Sequence, residues 1–425
     1  MVYGCATVSR SSVVVVGGGV IGLACAWELT RGGADVTVLE RGEVGSGVSR
    51  GNTGWVVPSM TAPLPAPGMV REGVRQLVTR GEAFVLRPSL DPTFVRWLWR
   101  FWRSSSSARF GAGVRALLAL NRRTLELFDS YRDAGIHFEM YSTGLLIVAR
   151  TVAGLHQYDE IFRRLRALGY EGGEPDQLDR DALAELEPAL DRHNVEAGLH
   201  ARVDRYVRPE ALMQGLADRL REEGAQILEG REVVDLRTDP SGWTIATDAG
   251  DVRAEKVVVA AGLPSSKLLA RFGVRVAVQP ARGYSVTIAG KGTPPRHALY
   301  LAEAKLGLSP YADGVRVAGV FELGASRAEA PNGAGERLLA AARPYLAGWR
   351  PEADEPLTTW AGLRPATADG LPLIGALPGY EGLFVASGHG MLGVTLAPAT
   401  AALLAPLVLE GRMAPELEPF APGRR

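Results

Sequence analysis

The chain has 425 residues, more than one ordinary core holds, so two or three domains are expected. Lys+Arg and Asp+Glu both count 47, and a net charge of zero gives no support to a nucleic-acid partner. The two cysteines, Cys5 and Cys25, exclude a disulfide framework and a cysteine-ligated zinc or iron–sulfur centre, and no metal site is expected.

Residues 12–16 read SVVVV, the β-branched apolar run of a strand buried on both faces. Glycines cut the run short, so it predicts a strand rather than a signal-peptide core, and the expected location is the cytoplasm. The strand runs into Gly17-Gly18-Gly19-Val20-Ile21-Gly22, a helix over 23–31 and a second strand over 35–39 that ends in Glu40. Gly17 permits the tight turn, Gly19 admits a pyrophosphate, and Gly22 lets helix and strand pack closely. Val20 and Ile21 lie within this turn, and the free N–H groups of the helix that follows face the phosphates. Glu40 follows Gly22 by 18 positions, where a carboxylate accepts both ribose hydroxyls and repels a 2′-phosphate.

The segment 41–54, RGEVGSGVSRGNTG, chooses between NAD and FAD. It is small and polar, with Arg41, Ser49, Arg50, Asn52, Thr53 and Gly54, and a flavin enzyme needs such a loop along the pyrophosphate and ribityl chain. Residues 60–68 are Pro-rich and read as a crossing between domains. From Arg87 to Arg123 there are eight arginines and one acid, and Phe94, Trp97, Leu98, Phe101 and Trp102 recur at helical spacing. Two readings stay open: a peripheral contact of 94–103 with an anionic membrane, and an amphipathic helix packed on its own domain.

A helix over 209–223 precedes two alternating strands over 230–248, and 255–262 is another buried strand ending at Ala261-Gly262. Residues 382–386 form a last strand that feeds Gly388-His389-Gly390-Met391-Leu392-Gly393 and an Ala/Leu helix to about 410. In a flavin enzyme that helix end would sit near N1 and O2 of the ring; a plain strand–helix turn is the alternative. Residues 414–425 are expected to fray.

Five stretches resemble one family: VVVVGGGVIGLACAWEL with Glu40; SRGNTGWVVPS with APLPAPG; VVVAAGLPSS; ARGYSVTI; and WAGLRPATADGLPLIG running into GLFVASGHGMLGVTLAP. They lie in order from Val13 to Pro398. The chain resembles the FAD-dependent D-amino-acid oxidase superfamily, especially its D-amino-acid dehydrogenase and glycine/sarcosine oxidase branches. The resemblance implies an α/β fold: a Rossmann-type FAD-binding domain with an interleaved α+β substrate domain on a mixed, mainly antiparallel sheet. The expected division is 1–61, 196–278 and 359–425 for FAD and 62–195 and 279–358 for substrate. Strand candidates in the latter are 144–149, 282–288, 307–310 and 315–320.

The resemblance also implies FAD, with Val233, Ala261, Gly262 and the 388–393 loop among its contacts; neither cysteine sits near the expected ring position, so non-covalent FAD is expected. It implies that Arg364 grips the substrate carboxylate, a task that suits a guanidinium fork; pairing with Asp369 or with a backbone carbonyl is the alternative. Tyr284 is similar to a pocket residue of the dehydrogenase branch, with an aromatic in a half-buried strand as the alternative, and Tyr311 is a second candidate of that kind. Asn52, Met391 and Leu392 match positions near the ring, and Asn52 stands where some relatives have histidine. His389 lines the flavin face, or faces solvent or bonds to backbone. The implied reaction is hydride transfer to flavin N5 from a small amino or imino acid, a D-amino acid or a proline-like one, giving an imine or keto acid without a general base. The acceptor, quinone or O2, stays open, as do an oxidase of the glycine/sarcosine type and a flavin-holding subunit active only in a complex.

Overall fold

The computed structural model describes residues 11–68, 84–87, 89, 91–273, 278–351 and 357–424; Cys5 lies outside them. The run Ser12–Val16 is central to a six-stranded sheet. It pairs in parallel with Asp35–Leu39 on one side and Lys256–Val259 on the other. Gln226–Leu228 lies beyond the former, Leu383–Ser387 beyond the latter, and Leu373–Ala376 closes the edge antiparallel. Successive side chains of a strand point to opposite faces. Val13 and Val15 therefore join a core with the helices Val20–Arg31 and Gly393–Glu410. Val14 and Val16 pack against Leu236, Trp243 and Ile245 of a three-stranded antiparallel layer, Val233–Asp239, Gly242–Thr247 and Gly250–Ala254. The helix Gly393–Glu410 is long and apolar enough to cross a membrane, but 67% of it is buried in this core.

The second sheet has nine strands, and all but two of its pairings are antiparallel. Thr359–Thr367 forms one edge beside Val278–Ile288, followed by Gly314–Leu323 and Leu306–Tyr311. Leu145–Ala149 sits deeper in the sheet. The four strand candidates of the sequence thus all exist; the first is one residue shorter and the other three are longer by two to four residues. Two boundaries need correction. Ala197–Ala201 pairs with Leu145–Ala149, and Thr359–Thr367 pairs with Val278–Ile288, so both belong to the second sheet, not the first.

The aromatic helix is Pro92–Ser104, started by Asp91, which accepts from Thr93 N–H at 2.8 Å. Its aromatics divide by face. Phe94, Trp97 and Phe101 are buried, while Trp99 and Trp102 are exposed. The tail is not frayed: Pro415–Phe420 is a 3-10 helix with Leu417 and Phe420 fully buried. Arg424 ties it down through Asp369, at 2.8 and 3.0 Å, which also removes Asp369 as a partner for Arg364.

Candidate active site

The first glycine turn meets the end of the strand Lys256–Val259. Gly17 has φ +113°, and a Cβ there would lie 2.7 Å from the Ala260 carbonyl oxygen. Gly22 packs tighter still, since its Cβ would lie 1.8 Å from the Gly17 oxygen. Glu40 is fixed at both oxygens: Oε2 accepts from Gly18 N–H at 2.7 Å and Oε1 from Gly42 N–H at 3.0 Å. Each oxygen keeps lone-pair capacity for a ribose hydroxyl. Gly19 caps the helix without a side-chain bond, and Ser49 Oγ accepts from Val20 N–H at 3.3 Å. Backbone donors at a helix N-terminus beside a held carboxylate fit the pyrophosphate and ribose of a dinucleotide. Arg41 is exposed here, and Val233 packs against the cluster that contains Leu39. Gly262, next to Ala261, accepts from the Ser387 hydroxyl at 2.9 Å, which joins two strand ends.

The polar loop is held by the second sheet. Arg316, only 4% exposed, donates from Nη1 to the carbonyls of Arg50 and Asn52, both at 2.9 Å. Its Nη2 reaches Glu210 at 2.6 Å. Tyr311 donates to the carbonyls of Thr53, at 2.8 Å, and Val207, at 3.2 Å. Its hydroxyl therefore ties down the loop. Asn52 Oδ1 accepts from Gly54 N–H at 2.7 Å and so shapes a turn.

Arg364 lies on the strand Thr359–Thr367, opposite Ala281, while Gly362 is opposite Gly283 and Ala361 opposite Tyr284. Strand alternation puts Arg364, Gly362, Gly283 and Trp360 on one face and Tyr284 on the other. The guanidinium lies flat on Gly283, whose Cβ would sit 2.0 Å from Nη1 and 2.2 Å from Cζ. Nη1 donates to the Val320 carbonyl at 3.0 Å. Val320 sits where the register of Gly314–Leu323 slips against Arg282 and Tyr284, with φ +64°. For a β-branched residue that conformation costs roughly 1–3 kcal/mol, and strain of this kind collects at working sites. Among the described residues no carboxylate pairs with Arg364. Burial pushes its pKa down to about 10, which leaves it cationic at neutral pH.

Tyr284 stands on the opposite face of the sheet from Arg364. Its hydroxyl donates to buried Glu322, which also pairs with Arg282 and Arg87. Burial alone would raise the Glu322 carboxyl; hydrogen bonds from Tyr284, Arg87 and Arg282 hold it below the usual range.

The second glycine turn docks on the same strand. Gly390 N–H donates to the Pro365 carbonyl at 3.2 Å, and His389 bridges Ala366. Met391 is exposed, and Leu392 caps the helix Gly393–Glu410. His389 is buried with Nε2 3.1 Å from Thr400 Oγ1, and burial pushes its pKa down to about 3, so the ring is neutral. Thr395 Oγ1, in the first turn of that helix, donates to the Trp55 carbonyl at 2.9 Å. The polar loop, the second turn and Arg364 thus converge. In the sequence Trp360 and Gly283 stand only as members of the stretches WAGLRP and ARGY, with no role of their own, and Arg316 stands in none. Arg316 left a signal, as a lone charge inside the apolar alternation VRVAGV.

A family described as DAO, FAD dependent oxidoreductase, matches residues 12–407. The chain is 32% identical over 416 residues to a D-amino acid dehydrogenase of Phenylobacterium zucineum, with 96% of this chain and 95% of that protein covered. It is 32% identical over 429 residues to a D-amino acid dehydrogenase of Cereibacter sphaeroides, covering 97% and 96%. Among solved structures it is similar to glycine oxidase from Geobacillus kaustophilus, at TM-score 0.74 and 25% identity, covering 98% and 99%.

Proposed function

Because the chain belongs to this family of FAD-dependent oxidoreductases, we propose that it oxidises the C–N bond of a small amino or imino acid that Arg364 holds by its carboxylate. The observation that carries this reading is a cationic guanidinium that pairs with no carboxylate among the described residues, seated on Gly283 and borne by the strand on which the second glycine turn docks. Bound FAD supplies the electron sink for the oxidation. The residues of the chain contribute placement. The free edge of Arg364 offers parallel donors to a carboxylate. The start of the helix Gly393–Glu410 offers a positive dipole end where negative charge can rest. Neutral His389 adds no charge to that spot. An acyclic imine product hydrolyses to a keto acid, and a cyclic one persists.

The test is anaerobic flavin bleaching with a panel of D-, L- and cyclic amino acids. At least one should bleach the wild type, and Arg364→Lys should bind it at least 100-fold more weakly with an unchanged flavin spectrum. Unchanged binding removes Arg364 from the site.

The relatives at 32% identity are named dehydrogenases, which favours an acceptor other than oxygen. The likeness to a glycine oxidase favours a second reading, an oxidase. Stopped-flow reoxidation in air separates them, since a dehydrogenase stays reduced. For the dehydrogenase we read Val95, Trp99 and Trp102, exposed among Arg96, Arg100 and Arg103, as a peripheral contact with an anionic membrane carrying a quinone. Cosedimentation with anionic but not neutral vesicles supports it; binding to neither ends it.

A further inference from the structure

Gly51 in the polar loop is gripped from two strands of the second sheet. Arg316 bonds the carbonyls of Arg50 and Asn52 on either side of it. The six-membered ring of Trp360 lies against its Cα, where a Cβ would come within 1.9 Å of Cε3. The same ring covers Gly362, whose Cβ would come within 2.1 Å of Cη2. Arg316 pairs with Thr287 and Trp360 with Ser285 on one central strand, so both side chains rise from the face that carries Arg364. The indole therefore fills the space between the cofactor loop and the strand that bears the guanidinium. Only glycine fits at both of its contacts.

We propose that Trp360 is a positioning residue: a rigid spacer, locked by the Arg316 grip, that sets the distance between the flavin loop and Arg364. An indole suits the task because it has two rotatable bonds and one flat, incompressible body. Hydride transfer depends steeply on that distance, and a misplacement of about 1 Å can cost about 100-fold. Trp360 acts on the cofactor's seat and on the reach of the clamp, without gripping the carboxylate itself.

This rests on the reading of the preceding section, and wild-type bleaching by an amino acid tests that reading separately. Three quantities are measured for wild type, Trp360→Ala, Trp360→Phe and Gly51→Ala. They are FAD affinity of the apoprotein, affinity of the holoprotein for a non-reducible carboxylate seen as a flavin spectral shift, and the limiting rate of anaerobic reduction. Trp360→Ala should weaken FAD about tenfold or more and slow reduction at saturating substrate at least tenfold. The carboxylate affinity should stay within threefold. Trp360→Phe, which keeps a ring on both glycines, should recover most of each loss. Gly51→Ala damages the same contact from the other side and should copy the Ala variant, so it decides the matter if Trp360→Ala does not fold. Wild-type FAD affinity and reduction in both Ala variants overturn the proposal. So does a loss confined to carboxylate affinity, which would make Trp360 a wall of the substrate pocket.

Discussion

Replacing Gly283 by alanine puts one methyl group where the Arg364 guanidinium now lies. The new Cβ would stand 2.0 Å from Nη1 and 2.2 Å from both Cζ and Nη2. Carbon packs no closer than about 3.5 Å, so the fork must lift by about 1.5 Å. A guanidinium is the far end of a flexible side chain, so the fold should absorb the change and the melting temperature should hardly move. The Val320 bond at 3.0 Å and the docking of a carboxylate should both suffer. Losing one charge-assisted hydrogen bond costs about 1.5–3 kcal/mol, or roughly 10- to 150-fold in binding. The assay is anaerobic stopped-flow reduction over a range of substrate concentrations, with FAD affinity measured beside it. The expected result is a raised half-saturation concentration, slower reduction and intact FAD binding. A folded Gly283→Ala protein whose half-saturation lies within twofold of wild type would refute the seat described for Arg364.

Other outcomes follow from the same contacts. Arg424→Ala should lower stability by about 1–3 kcal/mol in thermal or denaturant melts, because Asp369 and the Leu371 and Pro372 carbonyls lose their donor. The holoprotein should still take up FAD. Asp204 is fully buried beside Ser59, and burial pushes its pKa up to about 7, against about 3.9 in an unfolded chain. The folded state then holds a proton that the unfolded state has released, so this contribution is lost as pH rises from about 4 to 7. Asp204→Asn should gain on wild type across that window, and parallel melting curves would contradict it. His389 has the opposite sign. With its pKa at about 3 folded and about 6.5 unfolded, it removes stability as pH falls through that interval. His389→Gln should lessen the acid loss, and an NMR titration of the ring near pH 6.5 in the native protein would contradict this.

Much of the cofactor end was legible because its signals are local. The VVVV run, the spaced glycines and Glu40 each act within a few residues of one another; the strand Ser12–Val16 lies where those signals put it, and the helix starts three residues early, at Val20, inside the glycine turn. The substrate end depends on register, which a single sequence does not print. Nothing near Tyr284 says that it faces away from Arg364; that follows from the pairing of Gly283 with Gly362. The slip at Val320 leaves no compositional mark, since valine is an ordinary strand residue. In the aromatic helix the two faces differ, a division that depends on what the helix packs against. Trp97 Nε1 donates to the Ala366 carbonyl at 3.0 Å and props the clamp strand, while Trp102 is 60% exposed. The tail was misjudged because its anchor, Asp369, lies 55 positions upstream.

The order of strands in the first sheet bears on how the polypeptide is made. Ser12–Val16 is synthesised first, yet its neighbour Lys256–Val259 and the next, Leu383–Ser387, emerge from the ribosome hundreds of residues later. Until then the leading βαβ unit waits with both hydrogen-bonding edges bare, since Asp35–Leu39 also lacks Gln226–Leu228, a state prone to association with other nascent chains. Slow, late closure by the carboxyl-terminal strand and helix means that a truncated translation product would hold half a nucleotide cradle and no catalytic pocket.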